Sequence, residues 1–264
     1  MIYLAALERR PTALPEGYPG DTEVLSHFDR LTLDAPVTML CGDNGCGKTT
    51  LIELMAAKLR AERISTGTPA LTDAQRRIRS TADAFRVAMK SKPRHCFLFT
   101  AEGFTKYIDY VVAEKEYARR ELDALPGQYG SDYARELAAQ PYAGTLAALQ
   151  SMYERPLESQ SHGQGFLEFF QSRLRPGGLY LMDEPEAALS YVNQLALVYL
   201  MQDAVAAGSQ FILATHSPIL TACPGAALYE MQDGALTPKT YPELKNIQFL
   251  KRFINNPESI LSED

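Results

Sequence analysis

Residues 42–49 read Gly42-Asp43-Asn44-Gly45-Cys46-Gly47-Lys48-Thr49, a G-x-x-x-x-G-K-T loop whose residue types suit phosphate binding. Glycines let successive backbone N–H groups curl around an anion. Lys48 is placed to bridge phosphates, and the Thr49 hydroxyl to face Mg²⁺. A helix starting at Thr50 would add the positive end of its dipole. The loop and Thr50 are therefore expected to hold a nucleoside triphosphate.

Three later groups could act on that ligand. The apolar run Leu179–Met182 ends in Asp183-Glu184-Pro185. An Asp at such a strand end can order Mg²⁺ through its water shell, and the following Glu can orient or deprotonate a water. A surface Asp-Glu turn is the plainer alternative, and four apolar residues directly before the pair speak against it. Gln210–Ala214 is a second apolar run and leads to His216, 32 residues after Glu184. A neutral imidazole there could sense the γ-phosphate; a lone His at a strand end is otherwise structural. Ser161-His162-Gly163-Gln164 precedes a helical pattern. Ser161 could simply cap that helix, or hydroxyl, N–H and dipole together could form an anion site.

The elements that must carry these groups alternate between strand and helix. Near-continuous apolar runs at Val37–Cys41, His95–Thr100, Leu179–Met182, Gln210–Ala214 and Ala227–Met231 predict strands covered on both faces. Residues 51, 54, 55 and 59 set a helical period behind the phosphate loop. Met1–Arg10 reads as a first strand, because its charges follow the apolar stretch and no secretory signal pattern is present. From about 101 to 176 the pattern turns helical. One helix spans Ile108–Leu122 and is broken by the stretch Pro126-Gly127-Gln128-Tyr129-Gly130, a second covers Gly144–Tyr153, and a third Gly165–Leu174. The expected fold class is α/β with a mainly parallel sheet. One domain of 264 residues would comprise an α/β lobe at about 1–100 and 177–264, and a helical lobe at about 101–176.

Composition narrows the function classes. At 46% hydrophobic and 22% charged the chain is of ordinary globular type. No apolar run reaches the roughly 18 residues of a membrane span. Cys41, Cys46, Cys96 and Cys223 show neither C-x-x-C pairing nor metal-ligand spacing, so they read as reduced packing residues and the compartment as the cytoplasm. Between Lys58 and Arg94, ten basic residues face three acidic ones, leaving that segment at +7 and the remainder at −13 of a net −6. Such a stretch is either a solvated basic insertion or a surface for nucleic acid or an acidic partner.

Taken in order, these motifs resemble an ATP-binding-cassette (ABC) ATPase. The loop at 42–49 is similar to Walker A, Asp183-Glu184 to Walker B, Ser161–Gln164 to the signature, His216 to the switch histidine and Glu186–Ser190 to the D-loop. More closely, Asp183–Ser190, Ala214–Leu220 and Phe253–Glu258 resemble small stand-alone bacterial ATPases of AAA-type naming, whose heads are like those of SMC and DNA-repair proteins. The resemblance implies a P-loop NTPase head that hydrolyses ATP with Mg²⁺. It also implies head-to-tail pairing, with Ser161–Gln164 of one copy closing on the loop of the other. The family's Gln after the strand preceding the helical lobe is absent. Glu102 is its expected replacement as a Mg²⁺ ligand beside Thr49 and Asp183. Tyr18 and Phe28 are the candidates for stacking on adenine. The cycle would drive a partner effector or a nucleic-acid transaction, in genome maintenance or phage defence. The alternatives are a transporter's nucleotide-binding subunit and an ATP-gated scaffold with little turnover.

Overall fold

The computed structural model describes residues 1–64, 72–151 and 162–261. In chain order it contains β1 (Leu4–Arg9), α1 (Glu23–His27), β2 (Arg30–Thr32), β3 (Val37–Gly42), α2 (Lys48–Leu59), β4 (Glu62–Arg63), α3 (Asp73–Thr81), β5 (Phe85–Met89) and β6 (His95–Thr100). The helices α4 (Ala101–Gln128), α5 (Asp132–Ser151) and α6 (His162–Arg173) follow. The chain then returns through β7 (Gly178–Asp183), α7 (Tyr191–Ala206), β8 (Gln210–Ala214), β9 (Ala227–Gln232), β10 (Ala235–Lys239), α8 (Lys245–Asn255) and α9 (Glu258–Leu261).

Seven strands form the central sheet in the order β10-β9-β3-β8-β7-β6-β4, parallel except where β10 folds back on β9. The middle strands are apolar on both faces because both are covered. One face of the sheet, with Met39, Phe99, Tyr180, Met182, Phe211 and Leu213, packs against α4, α6 and α7. The other face, with Leu40, Leu98, Leu181 and Ile212, packs against α2 and a separate antiparallel sheet, β2-β1-β5. Gln210 joins the two sheets: its Oε1 accepts from the N–H groups of Tyr3 (2.8 Å) and Leu4 (2.9 Å), and its Nε2 donates to the Leu4 carbonyl (2.9 Å). Register pairs Asp183 on β7 with Ala214 on β8, and Leu40 on β3 also lies opposite Ala214, so the phosphate loop, Asp183 and His216 emerge at one edge. In open α/β sheets that carboxyl edge is where ligands bind.

Three expectations need correction. The basic stretch 58–94 is no separate insertion over its described part. There β5 pairs along β1, and Ile78, Ala82, Ala84 and Phe85 are buried in the core. The helix expected from Ile108 starts seven residues earlier, at Ala101, and passes Pro126 to end at Gln128, inside the expected break at 126–130. Proline there removes a single hydrogen bond in the last turn, and the Tyr129 N–H still closes on the Leu125 carbonyl at 3.1 Å. The second helix starts twelve residues earlier than expected, at Asp132, and passes through Pro141. Its alanines favour helix, and Tyr142 packs edge-on against Tyr117 of α4, outweighing the proline. The expected end of that helix at Tyr153 lies outside the described residues.

Candidate functional site

β3 ends at Gly42 and the loop hands over to α2 at Gly47, whose φ is 101°. A Cβ there would lie 2.3 Å from Val24 Cγ1, so close packing as well as the left-handed backbone selects glycine. Asp43, Asn44, Gly45 and Cys46 form the exposed and half-exposed arc between them. Lys48 is buried, and its Nζ donates to the carbonyls of Gly42 and Asp43, both at 2.9 Å. That geometry keeps the ammonium over the loop.

The Thr49 hydroxyl donates to Asp183 Oδ1 at 2.9 Å. Burial pushes the Asp183 carboxyl up to about 6; the Thr49 bond opposes this, Glu184 and Glu53 add to it, and Lys48 opposes it. A half-buried carboxylate held above its usual range beside a hydroxyl is a hard-oxygen pair short of positive charge. It fits a divalent cation such as Mg²⁺.

Glu184 adopts a left-handed backbone, φ 46°, and its N–H donates to the Ala214 carbonyl at 2.9 Å. Its Oε1 lies 3.0 Å from His216 Nε2. Both side chains remain partly open to solvent. Tyr18, Thr22, Gly45, Gly47, Lys48, Thr49, Thr50 and Glu184 line a cavity of about 210 Å³. The Tyr18 hydroxyl is 3.5 Å from Thr50 Oγ1, and the ring is half exposed. Small-molecule sites usually enclose roughly 300–1,000 Å³, so this wall alone is small for a nucleotide.

Residues 38–103 match the model of the "ATPase family associated with various cellular activities (AAA)". Residues 116–222 match that of an "AAA domain, putative AbiEii toxin, Type IV TA system". The cytochrome c biogenesis ATP-binding export protein CcmA of Nitrobacter hamburgensis is 27% identical over 226 residues, 83% of this chain and 94% of that protein. The cobalt import ATP-binding protein CbiO of Salmonella typhimurium is 24% identical over 208 residues, 76% and 69% of the two. The structure of a nucleotide-free ATP-binding cassette from an ABC transporter superposes over 98% of each chain with a TM-score of 0.50 and 17% identity. These similarities support an ABC-type ATPase.

Several site expectations for the ATPase change on inspection. Glu102 makes no hydrogen bond to Thr49 or Asp183. It lies in the first turn of α4 with its carboxylate exposed and paired with Lys106 at 2.6 Å. Phe28 is buried edge-on against Phe85 at 5.6 Å, so its ring has no free face for a base. Ser161 and the His162 side chain lie outside the described residues. Gly163 is buried, and a Cβ there would meet Asn193 Nδ2 at 2.3 Å and the Ala188 carbonyl at 3.3 Å. The start of α6 thus sits tightly on the segment after Glu184, while Gln164 is exposed.

Sequence reasoning also missed a set of residues behind His216. Glu186 Oε1 accepts from Thr215 Oγ1 at 2.7 Å, the His216 N–H at 2.5 Å and the Ser217 N–H at 3.2 Å. Ser217 Oγ donates to Gln194 Oε1 at 2.6 Å, and Asn246 Nδ2 donates to the His216 carbonyl at 3.1 Å. A second acid three positions after Asp183 was the available signal. Its partners lie about 30 residues away and leave no local pattern. The four cysteines are free; burial pushes the Cys41 and Cys96 thiols up to about 12.

Proposed function

We propose that the ATPase works as a nucleotide-controlled dimer, each ATP lying between the phosphate loop of one copy and Gly163–Gln164 of the other. One observation carries this reading. Among the described residues, none of α6 lines the cavity at the loop, and the start of α6 packs on its own chain's Ala188 and Asn193 instead. A second copy would supply the missing wall.

Within each site Lys48 and the loop N–H groups hold the phosphates, Thr49 and Asp183 hold Mg²⁺, and Tyr18 stacks on the base. Held by Thr49 and Asp183, the ion would supply positive charge against the phosphate oxygens. Glu184 orients or deprotonates water, and His216 contacts the γ-phosphate. ATP then acts as interface glue, and hydrolysis releases it. The whole is one functional domain of two lobes. Glu184→Gln should accumulate as an ATP-bound dimer. Light scattering on the eluting peak would give twice the chain mass with Mg²⁺-ATP and the chain mass without it. A monomer at saturating ATP would sink the dimer reading, and normal turnover would remove Glu184 from its role.

The output of the cycle is a partner effector or a nucleic-acid transaction in the cytoplasm. The description of the family model over 116–222, a toxin of a toxin–antitoxin system, supports an effector, as in phage defence. Nucleic acid draws weaker support. Arg63, Arg76 and Arg86 pair with Glu53, Asp73 and Glu8, while Arg60, Arg77, Arg79, Lys90, Lys92 and Arg94 stay exposed. A pull-down of Glu184→Gln from its own host, with and without Mg²⁺-ATP, tests both. A transporter subunit is favoured by the import and export names of the relatives. No helix among the described residues is long and apolar enough to cross a membrane. Recovery of an integral membrane protein would select the transporter role.

A further inference from the structure

The loop after β8 has to present His216 beyond the end of the sheet, where its backbone has lost strand partners. The Thr215 N–H is the last to find one, the Leu40 carbonyl at 3.0 Å. From there on a single carboxylate gathers the donors, with the Ser217 N–H shared with Thr215 Oγ1 at 3.0 Å. Glu186, in the short turn Pro185–Ala188, receives the Thr215 hydroxyl and the N–H groups of His216 and Ser217 on one oxygen. Its other oxygen, Oε2, is buried and accepts no hydrogen bond. On the far side Gln194 bridges the Leu189 carbonyl (3.0 Å) and the Ser217 hydroxyl (2.6 Å), so the segment after Glu184 and the loop of His216 are fastened at two points.

The chemistry of this fastening is more than satisfaction of two orphan donors. A neutral acceptor would serve those N–H groups with a smaller desolvation penalty than a carboxylate. A carboxylate makes shorter, stronger and more directional bonds, and here all three converge on the residues around His216. Glu186 is also two residues from Glu184, whose Oε1 the imidazole meets at 3.0 Å. One short turn thereby sets both partners of that contact: Glu184 directly, His216 through Glu186.

We propose that Glu186 is a positioning residue for ATP hydrolysis, fixing His216 relative to Glu184 through the main chain of Thr215–Ser217. It rests on the reading of His216 as a γ-phosphate contact, and the experiment separates the two. Glu186→Ala should lower kcat on the order of 10- to 100-fold, the usual penalty of a catalytic group displaced by about 1 Å. ATP affinity should change less than about twofold, because Lys48 and the loop are untouched. Glu186→Gln keeps an acceptor oxygen and should recover most of the rate. In a His216→Ala background, Glu186→Ala should slow turnover little further, since its effect passes through the missing imidazole. If the alanine variant does not fold, Glu186→Asp, whose shorter arm withdraws the oxygen but keeps the charge, carries the same cycle. An undiminished kcat, a loss confined to ATP affinity, or full additivity with a slow His216→Ala variant would overturn the role of Glu186 alone. Wild-type turnover in His216→Ala would overturn the reading of His216 and this role with it.

Discussion

Replacing Asp183 by asparagine is expected to stabilise the isolated chain at neutral pH while abolishing turnover. Burial lifts the carboxyl from the usual 3.8 to about 6. A carboxyl with a raised pKa binds its proton more tightly in the folded state. Its contribution to stability is therefore complete below the unfolded value and is lost as pH rises from about 4 to about 6. Above that window the buried charge destabilises the fold by about 3 kcal/mol, an upper figure because water still reaches the site. Asparagine removes the charge and keeps an oxygen to accept the Thr49 hydroxyl. Urea denaturation without nucleotide or metal should show a gain of up to about 3 kcal/mol at pH 7.5, about half of it at pH 5, and about 0.5 kcal/mol at pH 4. In melting temperature the gain at pH 7.5 is roughly 5–10 °C. Mg²⁺ should add to the stabilisation given by ATP in the wild type and add nearly nothing in the variant. A variant less stable at pH 7.5, or a gain equally large at pH 4, would refute the view that desolvation of this carboxylate dominates.

Tyr18→Ala should weaken ATP binding about 5- to 30-fold, the loss of roughly 1–2 kcal/mol of stacking, read by titration with a fluorescent nucleotide. Phe28→Ala should instead lower the unfolding free energy by about 3–5 kcal/mol and leave the affinity of the folded fraction unchanged. Glu102→Ala removes an exposed pair worth no more than about 1 kcal/mol; steady-state kinetics at varied Mg²⁺ should match the wild type, and a raised Mg²⁺ requirement would restore Glu102 as a ligand. Gln210→Ala strands the N–H groups of Tyr3 and Leu4 in the interior and should cost about 2–4 kcal/mol in urea denaturation.

The strands that carry the site were legible because two covered faces demand uninterrupted apolar residues, as Val37–Cys41 and Gln210–Ala214 show. The loop was legible because phosphate binding restricts residue type at fixed spacing. Between about 101 and 151 that logic fails. α5 buries none of its described side chains, so no apolar period marks its first turns, and the expected start falls at Gly144. The antiparallel sheet failed for another reason. β1 was visible as a strand, but its partner β5 lies some eighty residues on, inside a stretch whose basic residues suggested solvent. Pairing across such a distance is written in tertiary contacts: Phe85 against Phe28, and Glu8 against Arg30 and Arg86. Motif reading placed Glu102 by analogy with a missing glutamine. It was blind to Lys106, one helical turn away, which holds that carboxylate at the surface.

Successive residues of an extended strand point to opposite faces of the sheet. Asp183 and Glu184 are consecutive, yet one reaches Thr49 and the other His216. The left-handed backbone at Glu184 resolves this conflict. It turns the chain out of the strand as soon as Asp183 has been placed, and the Glu184 N–H is held by the Ala214 carbonyl of the neighbouring strand. A non-glycine residue there carries about 1–2 kcal/mol of strain, which persists only while that hydrogen bond and the following Pro185 over-determine the turn. Side-chain shape at position 184 is thus constrained independently of chemistry. Glutamine has the same branching as glutamate and should occupy the turn without further strain, so Glu184→Gln isolates the loss of the carboxylate. Valine, branched at Cβ, would be a genuine outlier at positive φ. Glu184→Val should therefore lose stability as well as turnover, a difference that paired urea midpoints of the two variants would read directly.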